Sequence, residues 1–357
     1  AASDVYKRQI QFGSAFDPSS KTLVFNAGGA VFDTAGNFLS FASPVGGGGV
    51  GGLTKAGAGL LVLPVANAFS GDSSVTAGGL VVDHVGALGT GPTAVVSAVG
   101  GALIIRNGLD FGTKGLALSG TGSSAAMPGA LVNIAGTTTF GGSVSLAGAA
   151  TIFSAAGSLN LSGTTAVTGA YDLTLGGAGN GSLAGGFQTA GGGLIKSGTG
   201  TWNLTGSGGT NTGSLVMRDG TLNVTGGAFG SLSSTVFGGG QLNLVSGNQT
   251  FGDATLVSGT ASRVTLGSGA VFTLGSSPIT RGAGSVLAFD TSAGGGASIA
   301  SAMAPRVLGF ASVTDATGTG LAYADGSNIV RLNSFTTLTD SSAEASTNYS
   351  TAGMASN

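Results

Sequence analysis

Residues 51–63 read GGLTKAGAGLLVL and residues 192–204 read GGLIKSGTGTWNL. Both keep a Gly pair, a Leu, a Lys with Gly at the second and fourth places after it, and a short strand-like run ending in Leu. About 15 to 20 residues further on each has the same sequel. Residues 76–82 read TAGGLVV and residues 218–224 read RDGTLNV. A unit too small to bury its own apolar face, repeated along the chain, is the mark of a solenoid rather than a sandwich.

Short apolar alternations extend this reading from end to end. Leu23-Val24-Phe25, Leu80-Val81-Val82, Leu103-Ile104-Ile105, Leu159-Asn160-Leu161, Leu173-Thr174-Leu175, Leu242-Asn243-Leu244 and Phe272-Thr273-Leu274 are examples. Each has period two or is continuously apolar, and each is bounded by Gly, Ser, Asn or Ala-Gly, which is how brief strands between tight turns read. No stretch has the 3.6-residue period of a helix, so the fold class is all-β. In a parallel solenoid each turn lies about 4.8 Å from the last, with inward side chains in apolar columns and backbone bonds between turns. At roughly 20 residues per turn the chain is expected to make about 17 turns and a rod of about 80 Å. Gly supplies positive φ at the corners, while Ser, Thr and Asn face outward or cap turns.

Composition agrees. Of 357 residues 71 are Gly and 7 are Pro; 7% are charged and 41% hydrophobic. A mean hydropathy of +0.42 and a net charge of −2 are the opposite of the disordered signature, so the chain should fold. Collagen needs Gly at every third place with abundant Pro, and neither holds. Gly, Ser, Thr or Asn interrupts every apolar stretch within a few residues, so no transmembrane helix is readable. Twelve Lys plus Arg against fourteen Asp plus Glu form no basic stripe, which argues against nucleic acid as a partner. Cys is absent, which removes disulfides and thiolate metal sites and leaves the redox compartment open.

The pattern GGL-x-K-x-G-x-G, a short strand, a Ser/Thr/Asn/Gly-rich turn and then x-x-G-x-L-x-V resembles the autotransporter passenger-associated β-strand repeat. The first copy runs on through Gly86-Ala87-Leu88-Gly89-Thr90-Gly91-Pro92, similar to the GALG-x-GP continuation common in that family. The clearest copies are residues 51–92 and 192–226, with looser Leu-x-Leu/Gly rungs elsewhere. The resemblance implies a right-handed, single-stranded parallel β-helix from a bacterial surface or secreted protein. It also implies outer-membrane translocation through a part of the parent chain absent here. Residues 279–290 (ITRGAGSVLAFD) and 320–337 look like the ends of long repeat-bearing surface proteins of Verrucomicrobia-like bacteria.

Three segments are expected. Residues 1–9 (AASDVYKRQ) differ in character from the rest of the chain and read as a non-native, adapter-like leader without the features of a secretory signal. Residues 10–339 read as one continuous β-helix, because no polar or Pro-rich linker divides them. Residues 340–357, rich in Ser, Thr and Asn, read as a poorly ordered end with little apolar area to offset the entropy of ordering.

Residues suited to chemistry are scarce. Glu344 is the only Glu, so an acid/base pair of the glycosidase kind would need the thirteen Asp. Asp33, Asp72, Asp110, Asp172, Asp219 and Asp253 read as turn residues. His84 is the only His; strand neighbours point to opposite faces, so Asp83 is not placed to orient it, and His84 is expected to face solvent. Gly71-Asp72-Ser73-Ser74 is similar to the Gly-Asp-Ser start of certain esterases but falls in the turn of the first repeat. No G-x-S-x-G elbow, His pair, Ca²⁺ loop or phosphate-binding Gly loop is present, so no catalytic, metal or cofactor residue is assigned. Lys55 and Lys196 hold the same place in the two copies and are expected to be exposed beside a Gly corner, discouraging lateral strand pairing. Trp202, where the first copy has Leu61, is expected to fill a rung.

The function expected is that of a structural or adhesive passenger rod, not an enzyme, with surface glycans or proteins of a host or of the environment as partners. The alternative is a polysaccharide-acting β-helix lyase or hydrolase, which needs three or more Asp, Arg or Lys converging on one lateral groove. An ice-binding solenoid would need a regular outward Thr ladder, and the Thr residues are not in such register.

Overall fold

Leu39, Leu61, Leu80, Leu103, Leu131, Ile152, Leu175, Lys196, Met217, Phe237 and Leu256 stand one above the next, each the parallel partner of the residue one turn earlier. All are buried. The computed structural model describes residues 9–97, 100–122, 124, 127–293, 295–333, 336–337 and 349–350. Over these the chain is a parallel β-solenoid of about 14 turns. Apart from one 3-10 turn at Pro18–Ser20, no helix occurs among the described residues.

The rungs form three faces. The first holds Ala30–Asp33, Leu53–Ala56, Ser73–Val75, Thr93–Ser97 and Gly115–Gly120. The second holds Phe38–Ser40, Leu60–Leu63, Gly78–Val82, Gly101–Ile105 and Leu131–Asn133, and continues through Leu194–Lys196 and Ser214–Met217. The third is built of strands from Thr137–Phe140 onward, through Ser158–Leu161, Asn180–Leu183, Thr201–Leu204, Thr221–Thr225, Gln241–Ser246, Ala261–Leu266 and Val286–Asp290. Val144–Ser154 bends across a corner and serves the first and second faces.

Steps along the second-face column run from 19 residues (Leu61 to Leu80) to 28 (Leu103 to Leu131). Loops inserted between faces lengthen most turns beyond the expected 20, so the chain makes about 14 turns rather than about 17. The rod is correspondingly shorter, roughly 65 Å.

The two repeat copies have the same register. Leu61 pairs with Leu80 and Leu63 with Val82; Trp202 pairs with Leu222 and Leu204 with Val224. All eight point inward. The first copy lies on the first and second faces and the second copy on the second and third. Between copies the unit has therefore moved one face around the rod, so it is a local corner structure and not tied to one side.

The strands do not stay parallel to the end. Arg306–Asp315 pairs antiparallel with Gly318–Ala324, which pairs antiparallel with Ile329–Arg331, where a parallel coil was expected. The tight turn at Asp315 accounts for the reversal. Its carboxylate accepts from the Thr317 and Gly318 N–H groups, the Thr317 hydroxyl and Arg331 Nε. The Thr317 hydroxyl foremost, then Arg331 and the Thr317 N–H, hold the carboxyl down to about 2.

Gln9, expected to belong to the leader, begins the strand Gln9–Gln11, pairs with Val31 and donates to Asp33 Oδ2 at 2.8 Å. The rest of the expected leader, residues 1–8, lies outside the described residues. So does the expected polar end, save Tyr349–Ser350, which pairs with Thr336–Thr337.

Trp202 fills its rung as expected and is fully buried. Room for the indole comes from Gly181 one turn earlier, where a Cβ would lie 2.5 Å from Trp202 Cζ3. Gly181→Val should therefore overpack the column and cost about 1–3 kcal/mol. Trp202→Val should leave a cavity costing about 3 kcal/mol or more. In the double variant the two volume changes oppose each other, so urea unfolding should show a loss well below the sum. Strict additivity would refute this packing relation.

Candidate functional site

Lys55 and Lys196 are fully buried, which corrects the expectation that they face solvent. Each continues the inward parity of the Leu two residues before it, Leu53 and Leu194. Lys55 stands between Phe32 and Val75, and Lys196 between Leu175 and Met217. Their stems lie among apolar side chains while the ammonium reaches the corner. Lys55 Nζ donates to the carbonyls of Ala56 (2.9 Å), Gly57 (2.7 Å) and Ala77 (3.0 Å). Lys196 Nζ donates to those of Ser197 (3.2 Å), Gly198 (2.6 Å) and Asp219 (3.1 Å). An ammonium has three N–H donors, and in both copies all three are used. Two go to its own corner and one to the next turn.

This explains the glycines of the motif. Gly57 and Gly198 have φ of +70° and +73°, and Gly78 and Gly220 one turn on have +64° and +67°. A Cβ on Gly78 would lie 2.8 Å from Lys55 Nζ and 2.4 Å from Gly59 O; one on Gly220 would lie 2.6 Å from Lys196 Nζ and 2.3 Å from Gly198 O. Burial pushes both ammonium groups down to about 8, against the pull of Asp33 on Lys55 and of Asp219 on Lys196. Lys114 is a third case: buried, lowered by desolvation and opposed by Asp72, it donates to Gly91 O and, at 3.4 Å, to Gly89 O. Lys55 and Lys196 are structural donors with no free N–H for a ligand.

The other candidates are dispersed. Asp33, Asp72, Asp110, Asp172 and Asp219 each accept a backbone N–H, from Ala35, Thr93, Gly112, Gly193 and Gly220. Asp253 accepts the Ser277 hydroxyl. His84 is exposed and its Nδ1 accepts from Gly86 N, while Asp83 makes a two-bond pair with Arg106 instead. Ser73 begins a strand rather than lying in a turn, and its hydroxyl donates to Leu88 O. No group of three or more His, Cys, Asp or Glu able to hold a metal ion occurs among the described residues. No helix there is long and apolar enough to cross a membrane.

The outward side of the third face is different. Asn160, Ser182, Asn203, Asn223, Asn243, Thr265 and Asp290 stack in register on successive turns. Ser182 Oγ donates to Asn160 Oδ1 at 3.1 Å, Asn223 Nδ2 to Asn203 Oδ1 and Asn243 Nδ2 to Asn223 Oδ1, both at 2.7 Å. Gln241 Nε2 donates to Asn243 Oδ1 and Thr265 Oγ1. Gln241 also lines a groove of about 690 Å³ with Thr221, Arg263, Val286, Ala288, Phe310 and Leu321 among its other walls. Asp219 and Arg263 are the charged side chains in that lining. Arg263 is already paired with Asp290.

Comparison with known proteins places the fold in context. The passenger-associated-transport-repeat family matches residues 53–82 and 194–224, the two four-strand units whose strands are paired as given for the repeat copies. The adhesin BmaC autotransporter of Brucella suis biovar 1 (strain 1330) is 41% identical over 98 residues, 27% of this chain and 3% of that protein. The chain thus matches a small fraction of that relative's length. No solved structure matches the chain. The chain thus carries two segments similar to passenger-associated transport repeats, and both lie within the parallel β-solenoid.

Lys196→Met should leave three corner carbonyls without their donor and Lys55→Met two, since Ala56 O also accepts from Thr34 N, at a cost of about 2–4 kcal/mol each. A pH signature should accompany the loss. An unfolded Lys titrates near 10.4. Between about 8 and that value the unfolded chain holds a proton the folded chain has released, so stability rises with pH through this window. Urea midpoints at pH 7.5 and pH 10 should differ more in the wild type than in the double variant. An equal difference in both would show that the buried lysines do not titrate in this way.

Proposed function

We propose that the chain is a segment of an adhesive passenger rod, held at the bacterial cell surface after translocation through an outer-membrane part of its parent, and acting by contact rather than catalysis. One observation carries this reading: among the described residues a parallel stack runs through both passenger repeats without an intervening globule. A quasi-one-dimensional stack holds a long lateral surface away from the membrane, which suits attachment. The name of the relative, an adhesin, supports the same use. The partners proposed are surface glycans or proteins of a host or of the environment.

Display of this chain on a bacterium that does not itself adhere provides the test. Intact cells should become protease-sensitive for the displayed chain and gain attachment to coated surfaces. The purified chain should not turn over pectins, glucans or ester substrates. Surface display without attachment would count against the adhesive role, and turnover abolished by Asp219→Asn would replace it with an enzymatic one.

A further inference from the structure

The third face supports a narrower statement, which rests on the adhesive reading. Its inner strands have neighbours on both sides, so their backbone groups are already paired and an incoming peptide cannot add a strand there. Whatever binds must be recognised by side chains. Those side chains are uncharged from Asn160 to Thr265 and are already oriented by one another. Asn223 and Asn243 each spend one N–H on the amide before, and an amide carries a second N–H donor. Donors fixed in advance lose little entropy on binding. They recur at the rung spacing of about 4.8 Å, close to the advance of one pyranose in an extended glycan.

The groove beside the ladder supplies the other half of sugar chemistry. Val286 and Leu321 are exposed, Phe310 is half-buried and Ala288 lines the same groove. Arg281 lies 5.4 Å over the Phe310 ring. An apolar floor edged by Gln241, Thr221 and Ser312 matches a pyranose, with its C–H face on one side and hydroxyls at its rim. Gln241 joins groove and ladder into one surface. Among the lining residues of the groove Arg263 is the one cation and is paired with Asp290, while Asp219 adds a negative charge, so the lining itself does not favour an anionic chain. We infer that the third face binds a neutral polysaccharide lying along the rod axis, the amide ladder reading its hydroxyls and the Phe310 groove anchoring one or two rings.

Affinity electrophoresis of the purified chain through gels holding neutral polysaccharides (xyloglucan, mannan, hydroxyethylcellulose) or anionic ones (polygalacturonate, heparin) tests this. Retardation is expected in at least one neutral gel and not preferentially in the anionic ones. The triple variant Asn203→Ala, Asn223→Ala, Asn243→Ala and the separate variant Phe310→Ser should each weaken it by about tenfold or more. Both are checked for an unchanged unfolding midpoint, and Phe310→Ser stands alone if the triple variant does not fold. Absence of retardation, retention only by anionic gels, or full retention of the folded variants overturns the inference, as does a ladder-dependent self-association without glycan binding. Displayed cells that still attach with the triple variant would sink the glycan site and leave the adhesive reading intact. Glycan retention by a chain whose displayed form never attaches would do the reverse.

Discussion

At a corner of a solenoid the chain turns within a few residues, and some carbonyls of the turn, such as those of Gly57, Ala77, Gly198 and Asp219, find their donor in a side chain rather than in the between-turn ladder. A buried carbonyl left unpaired costs about 1–3 kcal/mol, and the problem recurs turn after turn. This chain meets it with polar side chains sent inward. Lys55 and Lys196 are the fullest case, but Asn133 does the same with Ala156 O and shares Gly136 O with Ser158 N, and Asn67 accepts from Val45 N and donates to Ala87 O. Gln249 accepts from Gly227 and Phe229 and donates to Gly230 O. In each case one side chain ties a corner to the corner of the adjacent turn, so the stack is fastened at its edges as well as by its strands. Stability in a one-dimensional stack depends on such neighbour terms, because no rung touches more than the rungs beside it.

This constraint also explains how much of the fold could be read in advance. The repeat, the short strands and the inward places of Leu63, Leu80, Leu204 and Leu222 follow from period two and from Gly at the turns. The burial of Lys55 was equally available from parity, since Leu53 and Lys55 are two apart on one strand. Residue type pointed the other way, and parity prevailed because the carbonyls needed a donor more than the ammonium needed water. Turn length was not legible, because loops between faces vary and only pairing register shows that Leu103 answers to Leu131 and not to a residue 20 further on. The antiparallel ending was hidden for a similar reason, as the Asp315 turn resembles in sequence the Asp-capped turns between parallel strands.

The third-face surface was half legible. Asn160, Asn203, Asn223 and Asn243 each sit between two inward apolar residues, so each can be assigned outward by alternation alone. That they stack on one another, with a single Ser182 between the first two, depends on register over four successive turns and emerges only in three dimensions. The Phe310 groove had no sequence signal, being made where Arg306–Asp315 shifts register between Leu308 and Ser312 and turns back on itself.

The same amide side chain thus serves two ends, and position decides which. Asn133 is the last inward residue of its strand, where its head meets a corner and is consumed by carbonyls. Asn203 lies mid-strand with outward parity, where its head meets the next amide and keeps bonding capacity for solvent or a ligand. A substitution that shifts register by one residue would exchange these roles at once, burying the ladder and expelling the corner donors. Cohesion and surface chemistry are therefore coupled through strand parity: the corners can be closed and the amide ladder kept outward only in one register. That coupling leaves the chain free to vary loop length between faces, as it does between Leu103 and Leu131, but not the alternation within a rung.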